Sequence, residues 1–124
     1  MPDTMKLLPE TDETVVCTVS SGLVEAEDFV NIFEKPFRER VAKYGFCNAY
    51  VKFDKDFLGW TPEGAETSFK CITDIAHLVR KVAYVNAPDS RHLLTSMLQP
   101  LGSAEVRFYD LGQEEEALSW IKNG

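Results

Sequence analysis

The sequence lacks the residue patterns that usually identify a catalytic or metal-binding protein. Its three cysteines form no CxxC pair and its two histidines lie in different segments, so we expect no metal site and no cofactor. No run approaches the roughly 18 apolar residues that a membrane-spanning helix needs. The amino terminus also lacks the long apolar core of a signal peptide. These absences predict a cytoplasmic protein with no stable membrane insertion.

Positive charge is also scarce in this chain. Its 13 Lys and Arg residues are outnumbered by 20 Asp and Glu residues, which gives a formal net charge of -7. Proteins that bind nucleic acid concentrate basic side chains, so we expect no nucleic-acid partner. With 44% hydrophobic residues, a length of 124 residues suits one domain with a substantial core, and we expect a single domain over residues 1–124. Cys17, Cys47 and Cys71 each lie inside an apolar run, which is typical of small buried side chains in a reducing compartment.

What the sequence does contain is an alternation of strand-like and amphipathic segments. Residues 49–53 precede an amphipathic stretch at 65–78, residues 82–85 precede one at 90–101, and residues 106–109 precede one at 113–121. This order predicts successive βα units in an α/β domain, with a mixed sheet of about five strands flanked by helices.

The first part of the chain predicts a hairpin followed by a long helix. Residues 5–8 and 14–20 form the two strands, and Ser20-Ser21-Gly22 is expected to end the second. Apolar residues then recur at helical spacing from Glu25 to Tyr44, where Pro36 should kink or divide the helix and Gly45 should end it.

A long aromatic connection is expected after the strand at 49–53. It covers residues 54–63 and carries Phe57, Leu58 and Trp60. Thr61 is expected to cap the next helix, with Pro62 in its first position.

Several of these features resemble the SpoIIAA-like family, which is related to STAS domains. The resemblance covers nearly the whole chain. It is carried by the opening hairpin, the Pro-interrupted helix, the stretch Phe57-Leu58-Gly59-Trp60-Thr61-Pro62 and the tail from Val106 to Ile121. It implies a small α/β domain with a mixed sheet, shared in outline with anti-sigma-factor antagonists and with lipid-carrying CRAL-TRIO domains. Anti-sigma antagonists carry a phosphorylatable Ser in an Asp-Ser-Ser-Gly stretch. This chain has Gly59-Trp60-Thr61-Pro62-Glu63-Gly64 instead, so Thr61 is the only hydroxyl at the matching place.

Two candidate sites follow from these residues. Phe57, Trp60, Met97 and Leu101 could line an apolar ligand pocket, and the alternative is that they close one end of the core. Thr61 could accept a phosphate at a helix N-terminus, and the alternative is that it only caps the helix.

An enzymatic role has less support in the sequence. It would require Asp54, Asp56 and the histidines His77 and His92 to converge in a cleft, and the spacing supplies no nucleophile.

We therefore expect a non-enzymatic cytoplasmic module that binds a protein partner or a small apolar ligand. A STAS-type partner switch controlled by phosphorylation near Thr61 and a lipid or hydrophobic small-molecule carrier remain as alternatives. The amphipathic stretch at 90–101 would favour a homodimer if its apolar face exceeded what the core can cover.

Overall fold

The computed structural model describes residues 4–89 and 104–122, which form a five-stranded sheet with helices on both faces. The strands are β1 (Met5–Leu7), β2 (Val15–Val24), β3 (Cys47–Trp60), β4 (Val79–Val85) and β5 (Glu105–Tyr109), and they lie in sequence order across the sheet. β1 is antiparallel to β2, and each later pair is parallel. The predicted mixed sheet and opening hairpin are confirmed.

Strands β2 and β3 are both longer than predicted. β2 continues through Ser20-Ser21-Gly22 to Val24, and β3 continues through the expected connection to Trp60. Gly22 (φ 62°) and Gly59 (φ 114°) adopt backbone conformations that other residues rarely reach, and the register between the strands shifts beside Gly22. The predicted strand end and loop were wrong because these glycines accommodate bulges without interrupting the pairing.

The first helical segment is divided ahead of Pro36, as predicted. It consists of α1 (Ala26–Phe29), a π-helical turn (Val30–Glu34) and α2 (Lys35–Tyr44). Proline cannot donate a backbone hydrogen bond and crowds the preceding turn, and a wider π-turn is a known way to accommodate such a break. Gly45 ends α2 in the left-handed conformation (φ 85°), and its N–H donates to the Val41 carbonyl at 2.8 Å.

Two further helices complete the described part of the chain, α3 (Pro62–Ile75) and α4 (Glu114–Lys122). Thr61 caps α3, as predicted, because its Oγ1 accepts a hydrogen bond from Gly64 N–H at 2.9 Å. A Cβ at Gly64 would lie 2.6 Å from the Val24 carbonyl oxygen, so glycine is needed for α3 to approach β2 this closely. The helix predicted at 90–101 lies outside the described residues.

Each face of the sheet has its own apolar cluster. Helices α1, α2 and α3 cover one face, where their buried side chains meet residues of β2, β3 and β4. Helix α4 covers part of the other face, and Ala117 and Ile121 of that helix are buried there with Val15, Tyr50 and Ala83.

The three cysteines are buried and carry free thiols, which agrees with their predicted role as small core residues. Burial raises the pKa of each thiol to about 12. They therefore stay protonated at neutral pH and are poor nucleophiles.

Candidate functional site

Five aromatic rings form a continuous row at the carboxyl ends of β3, β4 and β5. We call this set, which consists of Phe53, Phe57, Trp60, Tyr84 and Phe108, the aromatic row. Phe57 lies 4.7 Å from Phe53 and 5.0 Å from Trp60 between ring centroids, in edge-on geometry. Tyr84 lies 6.3 Å from Phe53 and 5.4 Å from Phe108, with nearly parallel rings. These spacings lie in the range of favourable aromatic contacts.

Strand register explains how the row forms. Tyr84 of β4 pairs with Val51 on one side and with Phe108 of β5 on the other, and partners in register share a face. Phe53 follows Val51 by two residues and therefore points to the same face, because side chains alternate along a strand. Val51, Phe57 and Trp60 contact the cluster beneath α1, α2 and α3. The row thus continues the helix-covered core toward the edge strand β5.

Burial is greatest in the middle of the aromatic row and lower at its two ends. Phe53 and Tyr84 are buried, Phe57 and Trp60 are half-buried, and Phe108 is 36% exposed. A set of rings that is buried in the middle and partly exposed at its ends can receive a flat or aliphatic apolar group. The row offers no acid, base or nucleophile of its own apart from the Tyr84 hydroxyl.

Asn86, the residue after β4, forms hydrogen bonds to both neighbouring strands, β3 and β5. It adopts a left-handed backbone conformation (φ 59°), which asparagine tolerates better than most residues. Its Nδ2 donates to the Phe53 carbonyl at 2.9 Å, and its backbone N–H donates to the Tyr109 carbonyl at 2.8 Å. Through its side chain and its backbone, this one residue after β4 therefore connects β4 to both β3 and β5.

The structure brings together two of the four residues predicted to bind an apolar ligand. Phe57 and Trp60 are in direct contact, whereas Met97 and Leu101 lie outside the described residues. Phe53, Tyr84 and Phe108 were not predicted as members of the same group. The alternation along each strand was visible, but neighbouring rings on three strands become adjacent only through the register.

Thr61 lies at the start of α3, immediately after Trp60. Its N–H donates to the Val24 carbonyl at 2.9 Å, while its half-buried side chain accepts from Gly64 N–H. The hydroxyl oxygen therefore already occupies the place at the helix N-terminus where a phosphate would bind.

The structure gives no sign that Asp54 and Asp56 converge with His77, as an enzymatic role would require. Asp54, Asp56 and Glu63 are exposed, and His77 is exposed beyond the end of α3. Within residues 4–89 and 104–122, no group of three or more His, Cys, Asp or Glu side chains could hold a metal ion. His92 lies outside these residues.

The opposite face of the sheet carries a separate set of charged contacts. Lys52 Nζ lies 3.0 Å from Glu114 Oε2, and Gly112 N–H donates to the other oxygen at 2.5 Å. The hydrogen bond from Lys52 lowers the pKa of the Glu114 carboxyl. Further along, Lys81 Nζ and Arg107 Cζ lie 5.1 Å and 4.7 Å from the centroid of Trp120, within the range of cation–π attraction. These contacts attach α4 to the sheet.

Fold and site together define a small α/β protein built on a mixed sheet. The family model described as SpoIIAA-like matches residues 15–122, and the chain belongs to this family. The fold is similar to the crystal structure of an uncharacterized protein from the DUF3478 family, with a SpoIIAA-like fold, from Shewanella loihica PV-4. The two share 14% identity at a TM-score of 0.69, over 98% of this chain and 96% of that chain. A search of curated proteins finds no match to the chain.

None of the helices in the described part of the chain is both long enough and apolar enough to cross a membrane.

Proposed function

We propose that this protein is a non-enzymatic binding module that receives a small apolar ligand at the aromatic row. The row itself is the observation that carries the proposal. Its five rings are held at fixed spacing by three strands, and they extend from the buried core to a partly exposed edge. Core closure alone would not require an exposed Phe108 at the end of the row. The SpoIIAA-like fold, which fits a regulatory module, supports the same proposal.

The setting of the row supports binding over turnover. The row consists of aromatic side chains, and the acids that lie between Phe53 and Phe57 in β3, Asp54 and Asp56, are exposed. The three free thiols of the core support a reducing compartment such as the cytoplasm as the place of action.

Intrinsic fluorescence can test the proposal because the two tryptophans lie on opposite faces of the sheet. Trp60 belongs to the row, whereas Trp120 lies on α4 and packs against the apolar cluster of the other face. In Trp120→Phe, emission from Trp60 should change saturably on titration with N-phenyl-naphthylamine, a neutral apolar probe. In Trp60→Phe, the remaining Trp120 should respond weakly. We expect a dissociation constant in the micromolar range, which corresponds to roughly 8 kcal/mol of binding free energy.

A matched pair of phenylalanine substitutions locates the probe. Phe108→Ala should weaken binding about tenfold, since it removes a ring from the row. Phe69→Ala is the control, because Phe69 is also exposed (47%) but lies on α3 and belongs to neither apolar cluster. A linear, non-saturating response of Trp60, or equal effects of the two substitutions, would contradict the proposal.

A further inference from the structure

Beyond the end of β4, strands β2 and β3 continue as a two-stranded ribbon. The last β3 residue that pairs with β4 is Lys52, yet β2 and β3 remain paired as far as Val24 and Trp60. We call residues 22–24 with residues 57–60 the ribbon tip. Among the described residues, no third strand pairs with it.

The two sides of the ribbon tip differ in burial. Val24 and Trp60 point into the helix-covered cluster. Leu58 is 78% exposed and Leu23 is 47% exposed, and neither belongs to an apolar cluster. The register places them close together, because Leu23 pairs with Gly59, the neighbour of Leu58. Two large aliphatic side chains are therefore exposed on the paired strands of the ribbon tip, where they contribute little to the stability of the fold.

The chain around these leucines is strongly acidic. Segments 22–34 and 53–66 contain one basic residue, Lys55, and six exposed acids: Glu25, Glu27, Asp54, Asp56, Glu63 and Glu66. These six acids, which we call the acidic rim, flank the leucines along the chain, and protein-binding surfaces commonly combine apolar residues with a polar rim. The sign of the rim specifies the charge of the partner.

We propose that the ribbon tip binds a basic segment of another protein, which inserts an apolar side chain against Leu23 and Leu58. A second copy of this chain fits poorly, because the two acidic rims would repel each other. Two leucines also bury far less than the roughly 1,000 Å² of a stable dimer, whereas a short segment of a partner can bind transiently over a smaller area. An anionic lipid surface is opposed by the same rim charge. The ribbon tip shares Phe57 and Trp60 with the aromatic row, but the proposed contact residues, Leu23 and Leu58, do not belong to the row, so either proposal can fail without the other.

Selection from a phage-displayed random-peptide library on the intact protein tests the partner chemistry. The enriched peptides should combine Lys or Arg with a large apolar residue. Leu58→Ser should lower their affinity at least about tenfold, as expected for the central residue of an interface. Leu7→Ser is the control, because Leu7 is also exposed (45%) but lies on β1, outside the ribbon tip. Since Leu58 is exposed, its replacement should leave the thermal midpoint unchanged.

Charge variants test the rim separately. Asp54→Asn combined with Asp56→Asn should weaken the selected peptides and flatten the salt dependence of binding. Glu115→Gln combined with Glu116→Gln, two exposed acids of α4, should do neither. Failure to enrich basic peptides, or equal binding to Leu58→Ser, would overturn the proposal. Concentration-dependent self-association that Leu58→Ser abolishes would assign the surface to a second copy instead and would also overturn it.

Discussion

Two groups of aromatic rings lie on the face of the sheet that α1, α2 and α3 cover. One group is carried by a helix and the other by strands. Phe29, Phe33 and Phe37 lie four residues apart on the first helical segment, with centroids 5.3 Å and 5.5 Å apart, and all three are buried. All five residues of the aromatic row lie on strands, and burial falls from Phe53 through Tyr84 to Phe108. The helix directs its rings at the centre of the sheet, whereas the strand register extends the row sideways to an edge.

Because of this difference, we expect the helix-borne rings to contribute mainly to stability and the rings at the edge of the row to contribute mainly to binding. Rings that are enclosed on all sides contribute through the apolar area that they remove from water. Rings at the edge of the row contribute less in this way and can exchange solvent for a ligand. Substitutions in the two groups should therefore affect different measurements.

The largest expected effect is on stability at Phe37. Phe37→Ala removes a fully buried ring and should lower the free energy of unfolding by about 3–5 kcal/mol in urea denaturation. Phe108→Ala should lower it by about 1 kcal/mol or less, because part of that ring remains in contact with water in the folded state. If both substitutions lowered the free energy of unfolding equally, the aromatic row would be part of the ordinary core, and the two groups of rings would not differ in role.

The sequence predicted the helix-borne group better than the strand-borne row. The spacing of Phe29, Phe33 and Phe37 is a local property of the chain, so periodicity was enough to place them on one helix face. Phe57 and Trp60 were recognised from the apolar content of their segment, although that segment was expected to be a loop. Joining them to Tyr84 and Phe108 depends on the pairing of three strands, which residue patterns do not specify.

The strand ends show a second reason for the errors. Gly22 and Gly59 are typical strand breakers, and local rules end the strands there. In the structure each glycine accommodates a bulge, and the pairing of β2 with β3 continues on either side of it. Whether a glycine ends a strand or bends it depends on the partner strand, which lies more than 30 residues away in the sequence.

A smaller effect is expected at Thr61, which joins the row to α3. Thr61→Ala removes the acceptor for Gly64 N–H and should lower the free energy of unfolding by about 1 kcal/mol. Thr61→Ser keeps the hydroxyl and should retain most of the stability. Probe binding by Trp60 should change little in either variant if the cap is purely structural. A large effect of Thr61→Glu on the affinity of a bound peptide, with stability unchanged, would favour the alternative of a switch controlled by phosphorylation.

The smallest expected effect comes from the opposite face, directly behind the row. Lys52 precedes Phe53 in β3, and its contact with Glu114 holds the start of α4. Glu114→Gln should lower the free energy of unfolding at pH 7 by about 0.5 kcal/mol, as is usual for a partly exposed ion pair.

The pH dependence of that loss identifies its origin. The pKa of the Glu114 carboxyl is lower in the folded protein than its value of about 4.3 in unfolded chains. Its contribution to stability is therefore present above that unfolded value and disappears as the pH falls through the folded pKa. The stabilities of the parent protein and Glu114→Gln should differ at pH 7 and converge in acid. The same comparison can be made in a Lys52→Met background. If Glu114→Gln still lowers the free energy of unfolding there, the stabilisation comes from the Gly112 hydrogen bond and not from the ion pair with Lys52.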